Sequence, residues 1–371
     1  MADQNRLAQL ALQFIPGIGN YLVKQLVSYC GSASDVFTAP KNKLLKIPGV
    51  GEVTAQNIIN HLPLQKAEYQ LEQAEKEGTQ ILLYFDKEYP ERLKHVNDAP
   101  SVLYYKGDQP LNNTKIVSIV GTRKATEYGK SVVDVLVREL KAHQPLIVSG
   151  LAYGIDIQAH KAALSNGLST IGVMAGGINM IYPASHKGIA QKMTSQGGLL
   201  TEQPFDSKPD APKFPARNRI IAGMSDVIIV VEAAARGGAL ITAEIANGYN
   251  RDVFAVPGPI HHPYSEGCNN LIKSNKAHLL TCMADIEYIM NWNAEEEKTE
   301  TNNFNDQIAL LSGDEKIVAN QLLDNKGPIA IDKLSWATQI SVNKLASILL
   351  QLEFNGLVKT LPGKMYQIKR L

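Results

Sequence analysis

Two stretches of this chain carry residue types that could hold a phosphate and a flat ring. In the first, Lys115-Ile116-Val117-Ser118-Ile119-Val120 is a β-branched run of the length a buried parallel strand needs, followed at once by Gly121-Thr122-Arg123 and a helix-patterned segment reaching to about His143. A strand, a tight glycine turn and a helix start make an anion site. The backbone approaches a phosphate closely where there is no Cβ, the first helical N–H groups are unpaired, and Arg123 adds a planar charged fork. The second stretch is Phe214-Pro215-Ala216-Arg217-Asn218-Arg219-Ile220-Ile221-Ala222-Gly223. Here Pro215 is expected to fix the entry to a helix beginning at Arg217-Asn218-Arg219, gathering two guanidinium groups, an amide and a helix N-terminus in one place. Phe214 offers a ring face on which a base could stack, worth roughly 1–3 kcal/mol per base. Taken singly, these are also an ordinary βα turn and a core phenylalanine beside salt-bridged arginines; together they favour a nucleic-acid site.

Further glycine-rich and polar segments follow other strand-like runs: Ser149-Gly150-Leu151-Ala152-Tyr153-Gly154, Gly176-Gly177, and Arg236-Gly237-Gly238. Glycine at so many loops is expected to keep the rim low and its backbone exposed to a long ligand. Asp156 and His160 fall four apart at a helix start. Asp156 could be a catalytic carboxylate, but its expected role is a helix cap that also orients His160. No metal is expected, because Cys30, Cys268 and Cys282 lack CxxC spacing and His261-His262 lie in a proline-marked loop with no carboxylate at ligand spacing. No cofactor is expected either. The first turn lacks Gly-x-Gly-x-x-Gly, and no carboxylate suited to a ribose ends the second strand.

A sheet must carry these loops. Runs at 81–85, 102–105, 115–120, 146–150, 169–174, 198–202, 226–231, 252–256 and 277–280 read as strands, with helical segments between most of the later ones. That order predicts an α/β chain, a Rossmann-like doubly wound and mostly parallel sheet over residues 67–290, with its ligand outside the carboxyl ends of the strands. At 371 residues the chain has room for flanking domains, and its 20% charged content is that of an ordinary globular protein. A net charge of +1 rules out nucleic-acid binding by bulk charge, so any such binding must come from local clusters of Lys and Arg. The N-terminus lacks the pattern of a signal peptide and no apolar run approaches the roughly 20 residues of a membrane helix, so a cytoplasmic protein with no membrane contact is expected.

Residues 1–66 contain a repeat: Ile15-Pro16-Gly17-Ile18-Gly19 returns as Ile47-Pro48-Gly49-Val50-Gly51, which predicts a small helical, SAM-like helix-hairpin-helix domain. Its nearby cations are Lys24, Lys43 and Lys46, leaving DNA contact and protein contact both open. Residues 291–306 are polar and acidic and read as a linker. In 307–371, three helical segments and a hairpin around Pro362-Gly363 predict a winged helix. Its third helix carries only Lys344 as a cation, so protein contact is as open as duplex reading.

The central region resembles the DNA-processing protein A family, also called DprA or Smf. The residues carrying the likeness are Ile119-Val120-Gly121-Thr122-Arg123, Ser149-Gly150-Leu151-Ala152-Tyr153-Gly154-Ile155-Asp156 with Ala159-His160, Ala175-Gly176-Gly177, Tyr182-Pro183, Phe214 to Ile221, Gly238-Ala239-Leu240-Ile241-Thr242-Ala243, Val253 to Gly258, and Gly267-Cys268-Asn269-Asn270-Leu271-Ile272. They cover about residues 80–286 in the family's order. The resemblance implies a homodimeric recombination mediator without catalytic turnover. It would bind single-stranded DNA more tightly than duplex, protect it, and load the RecA recombinase onto it in natural transformation. It also implies a DNA pocket of Gly121, Arg123, Phe214, Arg217, Asn218 and Arg219, with Lys213 a looser candidate. Ala239, where many members carry Ser or Thr, and Lys276-Ala277, where Gly-Ala is common, depart from the pattern. An alternative is a nucleoside 5′-monophosphate phosphoribohydrolase of the lysine-decarboxylase-like group, through Gly237-Gly238, Thr242 and Glu244. The spacing of that signature is wrong and its third glycine is missing.

Overall fold

The computed structural model describes residues 2–60, 63–292, 308, 310–325, 327–355, 357–361 and 365–368. The expected linker from residue 293 onward and the Pro362-Gly363 turn lie outside the described residues. The chain forms two compact units, Met1–Asn291 and Trp292–Leu371.

The first unit is built on nine strands: β1 (Gln80–Leu83), β2 (Val102–Gly107), β3 (Ile116–Val120), β4 (Leu146–Ser149), β5 (Thr170–Val173), β6 (Gly197–Thr201), β7 (Val227–Val230), β8 (Asp252–Ala255) and β9 (His278–Leu279). Their order is β1-β2-β6-β5-β4-β3-β7-β8-β9. From β6 to β9 every pairing is parallel, while β2 joins β6 and β1 joins β2 antiparallel. Every residue of β3, β4, β5, β6 and β7 is buried, which is why these strands read as mostly apolar runs rather than as alternating ones. Residues of opposite pleat parity feed two apolar clusters, Leu103 and Leu200 one, Tyr104 and Leu199 the other, so helices cover both faces of the sheet.

The strand order reverses at β3. The chain winds from β3 through β4, β5 and β6 in one direction, then returns to place β7 on the other side of β3 and continues outward. Doubly wound sheets open a crevice at that switch point, outside the carboxyl ends of the two strands.

The N-terminal helices Ala2–Leu12, Asn20–Cys30, Ala33–Thr38, Lys41–Leu44 and Glu52–Asn60 share a small core of their own. The repeated hairpins turn at Gly17 (φ 84°) and Gly49 (φ 87°), a backbone conformation that a Cβ would strain, which explains why the repeat keeps glycine there. The first hairpin is spent on the sheet domain. Asn20 Oδ1 accepts the Ser101 N–H and hydroxyl, both at 2.9 Å, and Lys24 Nζ donates to the Asn97 carbonyl at 3.0 Å.

The second unit packs helices Gly313–Asp324, Ile331–Thr338 and Val342–Phe354 against a sheet ordered β10 (Ile329–Ala330), β12 (Met365–Ile368), β11 (Val358–Leu361), the expected winged helix. Lys344 of its third helix is ion-paired to Asp314.

Candidate functional site

The crevice at the β3/β7 switch point holds a cavity of about 790 Å³. Its walls come from the turn after β3 (Gly121, Thr122, Arg123, Lys124), the segment after β7 (Ala233, Arg236, Gly237, Gly238), and the helix Lys213–Met224, with Tyr182 and Tyr264 at the margin.

The turn after β3 is held by β7's end. The Thr122 N–H donates to the Glu232 carbonyl at 2.7 Å, and the buried Glu232 carboxylate accepts the Thr126 N–H (2.9 Å) and hydroxyl (2.6 Å). The following helix starts only at Glu127, with Thr126 as its cap. This corrects the expectation of an anion seat at that helix start, because a protein carboxylate already occupies it. The helix Gly238–Gly248 differs. No side chain caps it, and Gly237 and Gly238 line the cavity.

Opposite the turn, the helix carrying the arginine pair begins at Lys213, not at Arg217. Pro215 sits in its first turn, where its missing N–H removes no helical bond. Phe214 therefore faces the cavity from that first turn, with the Arg123 guanidinium carbon 5.3 Å from its ring centroid and the exposed Tyr182 ring at 5.8 Å. Ring, guanidinium and second ring form one continuous wall on which a base could lie.

Arg217 and Arg219 do not gather at the helix N-terminus, because two residues along a helix stand about 200° apart. Arg217 is 6% exposed, and its guanidinium donates to the Gly150 and Val173 carbonyls at the ends of β4 and β5 and to Asn218 Oδ1. Burial lowers its pKa to about 10, Asp156 opposite raises it, and Arg123 lowers it further. Asp156 is also buried; desolvation raises its pKa and Arg217 opposes that shift. Arg219 leaves the cavity, pairing with Glu202 and donating to the Asp98 carbonyl, and Glu202 in turn accepts from Asn20 of the first hairpin at 3.3 Å. Asn218 Nδ2 donates to the Gly238 carbonyl at 3.3 Å, tying this helix to the uncapped one.

Other expected residues have partners within the protein or lie buried. Lys213 is engaged with Asp210 and the Lys208 carbonyl. Ser149 is fully buried and donates to the Ile119 carbonyl at 2.6 Å. Gly150, Gly176 and Gly177 are buried rather than presented at a low rim, and a Cβ at Gly150 would lie 2.6 Å from the Arg217 guanidinium. Asp156 does not orient His160. His160 Nδ1 lies 2.7 Å from the Thr170 hydroxyl, and burial, with Arg217 and His186 nearby, lowers its pKa to about 3. Glu244 is exposed, paired with Lys276, and absent from the cavity walls. Among the described residues no group of three or more His, Cys, Asp or Glu is arranged to hold a metal.

What remains facing the cavity is cationic and unspent. Arg123, Lys124 and Arg236 are exposed and have no ion pair among the described residues. Lys124 is not among the residues expected from the sequence, and Tyr182 is there only as part of the family resemblance. The first adjoins Arg123 on a turn already singled out, and the second reaches the wall only through the fold. No described helix is long and apolar enough to cross a membrane.

Residues 80–291 match the family model of DNA recombination-mediator protein A, residues 305–364 that of the DprA winged helix domain, and residues 10–62 that of the SAM-like helix-hairpin-helix tandem. Protein Smf of Synechocystis sp. is 31% identical, over 99% of this chain and 100% of its own length. DNA processing protein A of Streptococcus pneumoniae has a solved structure that aligns with a TM-score of 0.63 at 32% identity, covering 76% of this chain and 95% of that one. DNA processing protein A of Helicobacter pylori, described for its single-stranded DNA binding mode, aligns with a TM-score of 0.52 at 30% identity over 57% of this chain and 95% of that one.

Proposed function

The chain belongs to the DNA recombination-mediator protein A family, and from that membership and the crevice geometry we propose that it binds single-stranded DNA at the β3/β7 switch point without chemical turnover. The observation that carries this reading is Arg123, exposed, with no ion pair among the described residues, and set over the ring of Phe214. Phosphates would lie along Gly121, Thr122, Arg123 and Lys124 on one side and Arg236, Gly237 and Gly238 on the other, with one or two bases against Phe214 and Tyr182. A bare strand is favoured over duplex because stacking on these rings needs an unpaired base face. Arg217, Asn218, Arg219, Lys213, Ser149, Gly150, Gly176 and Gly177 then belong to the frame of the site.

In the cell, the protein would protect incoming single strands and load the RecA recombinase onto them during transformation, as a cytoplasmic homodimer whose two crevices align along one strand. The family membership supports this wider role, and β9 is an edge strand of the sheet. Binding of fluorescent oligo-dT, with duplex of equal length as competitor, tests the first part. Assembly of RecA filaments on strands covered by a single-stranded DNA-binding protein tests the second. Preference for duplex, or no acceleration of filament assembly, would reject the corresponding part.

A further inference from the structure

The cations around the crevice fall into two classes. Arg123, Lys124 and Arg236 are exposed and have no ion pair among the described residues, whereas Arg217 lines the same cavity at 6% exposure, its Nη1 held by the Gly150 and Val173 carbonyls and its Nε by Asn218. A phosphate arriving at Arg217 would meet a guanidinium already tied through Nη1 to the Gly150 and Val173 carbonyls. The absence of a side chain at Gly150 leaves room for the guanidinium itself, since a Cβ there would stand 2.6 Å from it.

Asp156 extends this arrangement toward Arg123. Its carboxylate accepts the Ala152 N–H at 3.4 Å, so it braces the turn from Gly150 to Gly154. That turn is in backbone contact with the one after β3. The Ile155 N–H donates to the Thr122 carbonyl at 3.2 Å, and a Cβ on Gly154 would sit 2.1 Å from the same oxygen. A closed circuit results. Arg217 shares a helix with Phe214 and holds the Gly150 carbonyl, the turn that begins there holds Thr122 through Ile155, and Arg123 returns over Phe214.

We propose that Arg217 and Asp156, both buried, are positioning residues that hold Arg123 opposite Phe214 through the Gly150–Gly154 turn while touching no phosphate. The inference rests on the single-stranded DNA reading of the crevice. It separates two effects that a loss of affinity alone would confuse, because a lost phosphate contact lowers the salt slope of binding by about 0.7 and a lost strut does not.

The test compares Arg217→Gln, Asp156→Asn and Arg123→Ala with the wild-type protein in oligo-dT binding across a salt series. The expected result is an affinity about tenfold or more weaker for Arg217→Gln and Asp156→Asn, with the wild-type slope. A slope that falls in Arg217→Gln as it does in Arg123→Ala overturns the proposal, and so does unchanged affinity. If the buried variants do not fold, phenylglyoxal modification of the native wild-type protein decides. Arg123 and Arg236 should be modified and protected by oligo-dT, while Arg217 stays unmodified with and without it; modification of Arg217 that oligo-dT blocks overturns the proposal. Absence of any oligo-dT binding by the wild-type protein would reject the DNA reading, and modification of Arg217 in the free protein would still show whether its guanidinium is sealed.

Discussion

Arg123 holds its guanidinium carbon 5.3 Å from the centre of the Phe214 ring, across the crevice where the strand order reverses. The two residues are far apart in the chain, and the sheet brings them together because β3 ends and the helix Lys213–Met224 begins at the switch point. Phe214→Ala should cost about 1–3 kcal/mol of single-strand binding, roughly 5- to 150-fold, because the stacking face is lost. The salt slope should stay at the wild-type value. Phe214→Trp should retain binding, and fluorescence anisotropy of labelled oligo-dT reads both variants.

The Glu232 carboxylate serves the turn after β3 from 106 residues away. Glu232→Ala leaves the Thr126 N–H and hydroxyl without their acceptor in a buried setting, which should lower stability by about 1–3 kcal/mol in urea unfolding. The same variant should bind oligo-dT more weakly, since the loop that places Arg123 loses its anchor.

Arg219 and Glu202 form a pair whose side chains are 13% and 12% exposed. Removing one partner from such a site commonly costs about 3–5 kcal/mol, whereas removing both costs less. Arg219→Met should therefore unfold at lower denaturant than Arg219→Met combined with Glu202→Met. Neither change should alter the salt slope of DNA binding if Arg219 belongs to the frame.

His160 is buried and its pKa is lowered from 6.5 to about 3. Its folded-state pKa lies below the unfolded one, so between those values the unfolded chain binds more protons and stability falls as the pH drops. Over the interval from pH 6.5 to 5 this amounts to roughly 2 kcal/mol. Asp156 and Glu202 have raised pKa values and act with the opposite sign, so the informative quantity is the difference from His160→Gln, whose stability should decline less over that interval. Equal declines in the two proteins would remove His160 as the cause.

The sheet was legible because its central strands are buried on both faces and leave apolar runs in the sequence. Arg123 and Phe214 were legible as well, from a turn after a strand and an aromatic beside arginines. The fate of the arginine pair was not. Pro215 is tolerated inside the first helical turn, so it did not mark the helix start. The partners that claim Arg217 and Arg219, namely the Gly150 and Val173 carbonyls and Glu202, come from other strand ends that only the sheet brings near. Glu232 was hidden for the same reason, its carboxylate filling a helix start 106 residues earlier in the chain.

The most direct measurement is the affinity for oligo-dT of the wild-type protein and Arg123→Ala across a salt series, with equal-length duplex as competitor. Binding should be salt-sensitive, prefer the single strand and weaken in Arg123→Ala, with a slope lower by about 0.7. Equal affinity and equal slope in the two proteins would contradict this expectation.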